Sequence, residues 1–161
     1  MGVLWEGVSG STFRPFFDKN GGSLAYLTLP TAQWIMLTYT YNGVGVSSYA
    51  YTTSNTYTDY TATSAFSIPA SGWYLGKFET SGYGTLNGSL SNVQIYNISL
   101  SASQVQALYQ EGIGGAPINP MYLVGWWPLN GNANDYSGNN NNGQAANVIY
   151  TSSWTSGYSV P

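Results

Sequence analysis

The chain has 161 residues, enough for one domain with a sizeable core, and 43% of them are hydrophobic. Only 6% are charged, three basic against six acidic for a net charge of −3, where soluble domains usually carry about a quarter. Three cations cannot neutralise a row of phosphates, which makes nucleic acid and anionic membrane poor candidates as partners, and the absence of His and Cys excludes disulfides, Ser-His-Asp triads, Cys nucleophiles and zinc sites.

Solubility then falls to Ser, Thr, Asn, Gln, Gly and Tyr. Such a surface hardly changes its charge with pH and suits an exposed or acidic setting. No apolar run approaches a membrane span, so no membrane insertion is expected. The opening MGVLWEGVSGST lacks the basic-then-apolar form of a signal peptide. An extracellular chain of this kind would be a mature piece or a segment of a longer protein.

From Val3 to Leu29 the pattern predicts short strands, VLWEGV, FRPFFDK and SLAYLTL, with Asn20-Gly21-Gly22 as a hairpin turn and Pro30 closing the segment. Gln33–Tyr41 is the clearest strand, with Ile35, Leu37, Tyr39 and Tyr41 alternating against Trp34, Met36, Thr38 and Thr40. Asn42-Gly43 turns it into VGVSSYAYTTS. Asn55–Thr63 reads as a loop or an edge strand. Ala65–Ile68, Trp73–Phe78 and Leu86–Asn97 are further strand candidates; in the last, Val93 and Ile95 share one face and Asn92, Gln94 and Tyr96 the other.

One helix is expected, near 101–111. Ser101 is its N-cap with Gln104 three residues on, Leu100 and Val105 occupy the staple positions, Val105, Leu108 and Tyr109 form the apolar stripe, and Gly112 ends it. Residues 113–120, rich in Gly and Pro, read as a linker. About eight short strands without βαβ alternation make the class all-β.

The string GSLSNVQIYNISLSASQVQALYQEG resembles the C-terminal signature of laminin-G-like, concanavalin A-like domains. QWIMLTYTYNG followed by SSYAYTTSN is similar to a hairpin of that family, without its usual His after the Trp, and GWYLGKFETSGYGTLNGSLSNVQIYN to its run into the last strand. MYLVGWWPLNGNANDYSGNNNNG resembles the family's beginning. The order is therefore inverted: residues 1–112 carry the C-terminal portion and 121–161 the N-terminal portion. Either the chain straddles a repeat boundary or it is a permuted domain. The family's Phe-Asp-Gly strand and its Trp-bearing strand are missing between the two, leaving the sheets reduced or completed by strands from another copy. The resemblance implies a concanavalin A-like jelly-roll β-sandwich with one short helix.

That fold hosts glycanases as well as lectins, and a retaining glycanase needs two carboxylates about 5 Å apart. Glu6, Asp18, Asp59, Glu79, Glu111 and Asp135 provide no two on one strand face, so no enzyme is expected. The resemblance also implies calcium near Asp135, where Asn132, Asn134 and Ser137 offer hard oxygens. The family's acidic residue before the last strand is replaced by Ser91 and Asn92, so a calcium site would be weak, or Asx turns would hold the loop without an ion. Six Trp and fifteen Tyr offer stacking platforms for sugars. Trp126 and Trp127, being adjacent in a strand, face opposite ways and place one ring in the core, which leaves Tyr57, Tyr60, Tyr74 and Tyr83 as the expected ligand contacts. Asn87 and Asn97 head glycosylation sequons. The expected role is an extracellular recognition or adhesion module for carbohydrate or a cell-surface protein; the alternative is a subunit of a surface filament built by self-association through strand exchange.

Overall fold

Alternating apolar and polar residues, separated by turns that Asn and Thr can close, fold here as antiparallel hairpins. The computed structural model describes residues 3–7, 12–19, 22–24, 27–63, 74–76, 86 and 88–150. Among these residues the structure is mostly β with one short α-helix, and the sheets are antiparallel and open. Two units result, Met1–Ser89 and Leu90–Pro161. No helix among the described residues is long and apolar enough to cross a membrane.

In the first unit, β1 (Val3–Gly7) pairs with β2 (Thr12–Lys19), and β2 pairs with both β3 (Gly22–Leu24) and β4 (Leu29–Pro30). Between β3 and β4, Leu27 N–H reaches the carbonyl of Pro15 at 3.4 Å, so Leu27 also lies beside β2. Glu6 stands opposite Arg14 in the register.

A second sheet follows in the order β5 (Met36–Tyr41), β6 (Gly45–Tyr51), β7 (Thr56–Ala62). The strand expected from Gln33 begins at Met36, because the chain bends at 31–33 with Ala32 left-handed. Asn42 makes the first turn, its Oδ1 accepting from Val44 and Gly45 N–H at 3.0 Å each. Thr52 makes the second, its Oγ1 accepting from Asn55 N–H at 2.9 Å and donating to Asn55 O at 3.1 Å. That turn brings the polar run after it into line, so Asn55–Thr63 yields a full strand rather than a loop.

The register sorts the faces. Leu37, Ala50 and Tyr57 stand in one row, Tyr39, Ser48 and Asp59 in the next, and Tyr41, Val46 and Thr61 in a third. Val46, Ser48 and Ala50 are fully buried. Leu27, Leu29 and Ala50 form the core cluster, with Phe13, Ile35, Leu37 and Tyr57 packed on it, so both sheets contribute. Burial holds the Tyr39 phenol far above its ordinary pKa.

The second unit pairs β8 (Val93–Tyr96) with β9 (Leu123–Trp127). The strand expected over Leu86–Asn97 is shortened to β8 because Asn92 takes a left-handed conformation, φ 51°. Ile95 pairs with Gly125 and Tyr96 with Leu123, so Val124 is passed over as a bulge. Helix α1 (Ala102–Glu111) carries the expected capping box: Gln104 N–H donates to Ser101 Oγ at 3.3 Å and Ser101 N–H to Gln104 Oε1 at 2.9 Å. Leu100, Val105 and Tyr109 are buried with Leu123.

The two units divide at Ser89, and residues 113–120 lie inside the second, connecting α1 to β9 through a 3-10 turn at Pro120–Tyr122. Ala65–Ile68 lies outside the described residues, and of Trp73–Phe78 only 74–76 are described, as a bend.

Because both halves of the capping box are closed, Ser101→Ala is expected to cost about 1 kcal/mol. Val105→Ala, which empties a fully buried site, is expected to cost about 2 kcal/mol. Thermal unfolding should show a Tm lower by about 2–4 °C per kcal/mol; an unchanged Tm for both would mean that α1 adds nothing to the unit's stability.

Candidate functional site

The side chains that converge in the second unit do so around one amide. With Asn92 left-handed, a conformation Asn tolerates better than most residues, its Oδ1 accepts from Trp126 Nε1 at 2.8 Å and from Gln94 Nε2 at 3.1 Å. Its Nδ2 donates to Gly115 O at 3.1 Å, tying the Gly/Pro connection to the sheet. Tyr96 donates its hydroxyl to Gln94 Oε1 at 2.8 Å. Burial pushes that phenol up to about 12, against a backbone hydrogen bond from Ile118 that lowers it. Asn92, Gln94, Tyr96 and Trp126 thus form one connected network, which fixes the indole.

Trp126 forms one wall of an open cleft of about 380 Å³, lined also by Asn92, Gly114, Pro128, Asn130 and Tyr136. That volume is within the range of small-ligand sites, about 300–1,000 Å³. Tyr136 meets Trp126 edge to face, ring centroids 6.2 Å apart and planes at 66°. Its N–H donates to Trp126 O at 2.8 Å and its hydroxyl accepts from Asn132 Nδ2 at 3.2 Å, while the residue remains 52% exposed. The lining has two aromatic rings, a proline and two amides, with no charged residue.

Next to the cleft, the carboxylate of Asp135 is wrapped in backbone donors. Oδ1 accepts from Trp126 N–H at 2.9 Å and Ser137 N–H at 2.8 Å, and Oδ2 from Asn141 N–H at 2.9 Å. Burial works to raise its pKa, but the hydrogen bonds from Trp126, Ser137 and Asn141 outweigh it and hold the carboxyl at about 2, below the ordinary 3.8. Asn132 Oδ1 accepts from Asn134 N–H at 2.8 Å, a second Asx turn, and Ser137 Oγ donates to Val124 O at 3.3 Å. Calcium needs free oxygens converging on a point. Here Asp135, Asn132 and Ser137 face N–H groups and a strand, so this donor set does not fit the ion.

The expected sugar contacts are not brought together. Tyr57 packs on the core cluster of the first unit. Tyr60, on the opposite face of β7, is 53% exposed, and its ring lies over Gly45, where a Cβ would run into it. This aromatic cover over a strand glycine gives Tyr60 a packing role. Tyr74 is exposed in the bend at 74–76. Tyr83 and Asn87 lie outside the described residues. Asn97 is exposed just after β8, its N–H bonded to Tyr122 O at 3.0 Å.

Both Trp126 and Trp127 are half-buried, so neither is the core ring that strand alternation suggests. Trp127 folds back over Gly125 and donates Nε1 to Asn141 O at 2.9 Å. The residues missing from the sequence reading are Tyr136, hidden inside an Asn-rich motif read for metal, and Asn130, which lies just before that motif. Their one visible signal is an aromatic residue within a loop two Asx turns would order.

Comparison with protein-family models, curated proteins and solved structures finds no match for this chain.

Because its folded pKa is depressed, Asp135 adds stability that is complete above about pH 5 and is lost as pH falls through 3.8 toward about 2. After allowance for solvent screening of a partly exposed group this is about 1 kcal/mol. Asp135→Asn should flatten the acid limb of the stability profile below pH 4. Asp135→Ala, which orphans three N–H groups, should cost about 2 kcal/mol at neutral pH by chemical denaturation. An acid limb identical in wild type and Asp135→Asn would show that this carboxylate does not hold the loop.

Proposed function

We propose that this chain is a non-catalytic, extracellular recognition module of the laminin-G-like, concanavalin A-like jelly-roll kind, and that its ligand is a neutral glycan seated in the cleft of the second unit. The observation that carries the reading is the lining: Trp126 and Tyr136 beside Pro128, with the amide of Asn130, while Asn92 holds the indole in place. Sugar C–H faces stack on aromatic faces while amides bond the hydroxyls. With no cation in the lining, sialylated or sulfated glycans find no counter-charge, so neutral sugars are favoured. The fixed indole supplies a preorganised wall, which reduces the cost of ordering on binding.

The permuted jelly-roll is supported by the pairing of β8 with β9. It joins a strand from the C-terminal signature to one from the N-terminal signature within one chain. Exposure of Asn97 supports its sequon, Asn97-Ile98-Ser99, as a glycan acceptor when the chain passes through a secretory pathway.

A second reading, assembly into a surface filament, draws on β7. Among the described residues it is one of the two edge strands of its sheet, seven residues long, with no Pro or Lys to blunt it.

On an array of neutral and anionic glycans, retention of neutral members is expected. Tyr136→Ala should weaken it at least about tenfold with unchanged circular dichroism, and Tyr60→Ala should leave it intact. Binding should be flat from about pH 5 to 8, since the lining holds no group that titrates there. Retention that survives Tyr136→Ala, or a preference for sialylated glycans, would move the site elsewhere; filaments with no glycan retention would favour the second reading.

A further inference from the structure

Among the described residues, β9 has one strand neighbour, β8, so its other flank must find partners elsewhere. They come from residues 135–141, which form bends and coil and no strand. Trp126 N–H donates to Asp135 Oδ1 at 2.9 Å and Trp126 O accepts from Tyr136 N–H at 2.8 Å. The carbonyl of Val124, thrown outward by the bulge, accepts from Ser137 Oγ at 3.3 Å, Asn139 Nδ2 at 3.1 Å and Asn141 Nδ2 at 2.9 Å. Asn139 Nδ2 also reaches Leu123 O at 2.9 Å.

The loop is shaped to deliver these donors. Gly138 and Asn140 are both left-handed, φ 91° and 60°, and Asp135 closes the segment by accepting from Asn141 N–H at 2.9 Å. Side-chain amides therefore stand where the N–H groups of an added strand would stand. An Asn amide donates as a backbone N–H does, but a cluster of them offers no continuing ladder to the next strand.

We propose that the Asp135–Asn141 loop is an edge cap, which occupies the outer flank of β9 and prevents a strand from a second copy of the chain from adding there. Edge strands are commonly guarded by Lys or Pro. This chain has three basic residues, Arg14, Lys19 and Lys77, none of them in the second unit. Neutral amides take over the task. The inference rests on the hydrogen bonds of the loop and is independent of the glycan reading.

The test is the double variant Asn139→Ala/Asn141→Ala in the full chain, which removes the amide donors from Leu123 and Val124 and keeps Asp135 and Tyr136. Self-association measured by light scattering is expected to tighten at least about tenfold relative to the unchanged chain. Hydrogen exchange should show residues 123–127 gaining protection in the associated form. Circular dichroism reports whether the variant is folded. Should it not fold, Asn141→Ala alone, which leaves Asn139 on both carbonyls, is measured in the same way and should show a smaller rise. A folded variant that associates no more than the unchanged chain overturns the proposal. So does association that protects a segment other than 123–127, or an unchanged chain that already assembles through those residues.

Discussion

A backbone that leaves its strands must find other hydrogen-bond partners, and a chain with three basic and six acidic residues must find them among neutral side chains. Asn42 and Thr52 close the two hairpin turns of the β5–β7 sheet in this way. Asn92 ties Gly115 to the sheet, and Asn139 and Asn141 hold the carbonyls of β9. The exception is Asp135, whose carboxylate gathers three N–H groups that neutral acceptors would hold more weakly. Much of the Asn and Thr content thus serves as scaffolding, which leaves fewer polar groups free for a ligand than composition suggests.

The same economy shapes the aromatic residues. In a chain this rich in Tyr, a ring near a turn is a poor guide to a binding surface, because rings also fill gaps left by glycine. Tyr60 over Gly45 and Trp127 over Gly125 are both of this kind. Tyr57 is drawn inward by the alternation of β7, which puts it in one row with Leu37 and Ala50. Tyr136 differs because its backbone, hydroxyl and ring edge are held while half of its surface stays open.

What could be read from residues alone follows the range of the interaction. The helix was legible because its cap, staple and stop lie within a dozen residues, and Ser101, Gln104, Leu100, Val105 and Gly112 act as their spacing predicts. The hairpin at Asn42-Gly43 was legible for the same reason. The division at Ser89, the shortening of β8 and the place of residues 113–120 were not. The last two depend on Asn92, whose left-handed backbone and bonds to Trp126 and Gly115 span tens of positions. The Asn-rich loop looked like a cation site because oxygen-rich loops and Asx-turned loops share a composition. They differ only in where the backbone N–H groups point.

Trp126 joins the two features of the second unit. Its indole forms a wall of the cleft, held by Asn92, while its backbone N–H and carbonyl belong to the outer flank of β9, held by Asp135 and Tyr136. A strand added along that flank would take both backbone groups, and Tyr136 would lose the hydrogen bond that seats it beside the indole. Strand addition at β9 and an intact cleft are therefore mutually exclusive states of one residue. On the proposed readings, a cap on this edge protects the wall of the cleft as much as it keeps a second strand away, and one short loop carries both Tyr136 and the amides that bond the strand.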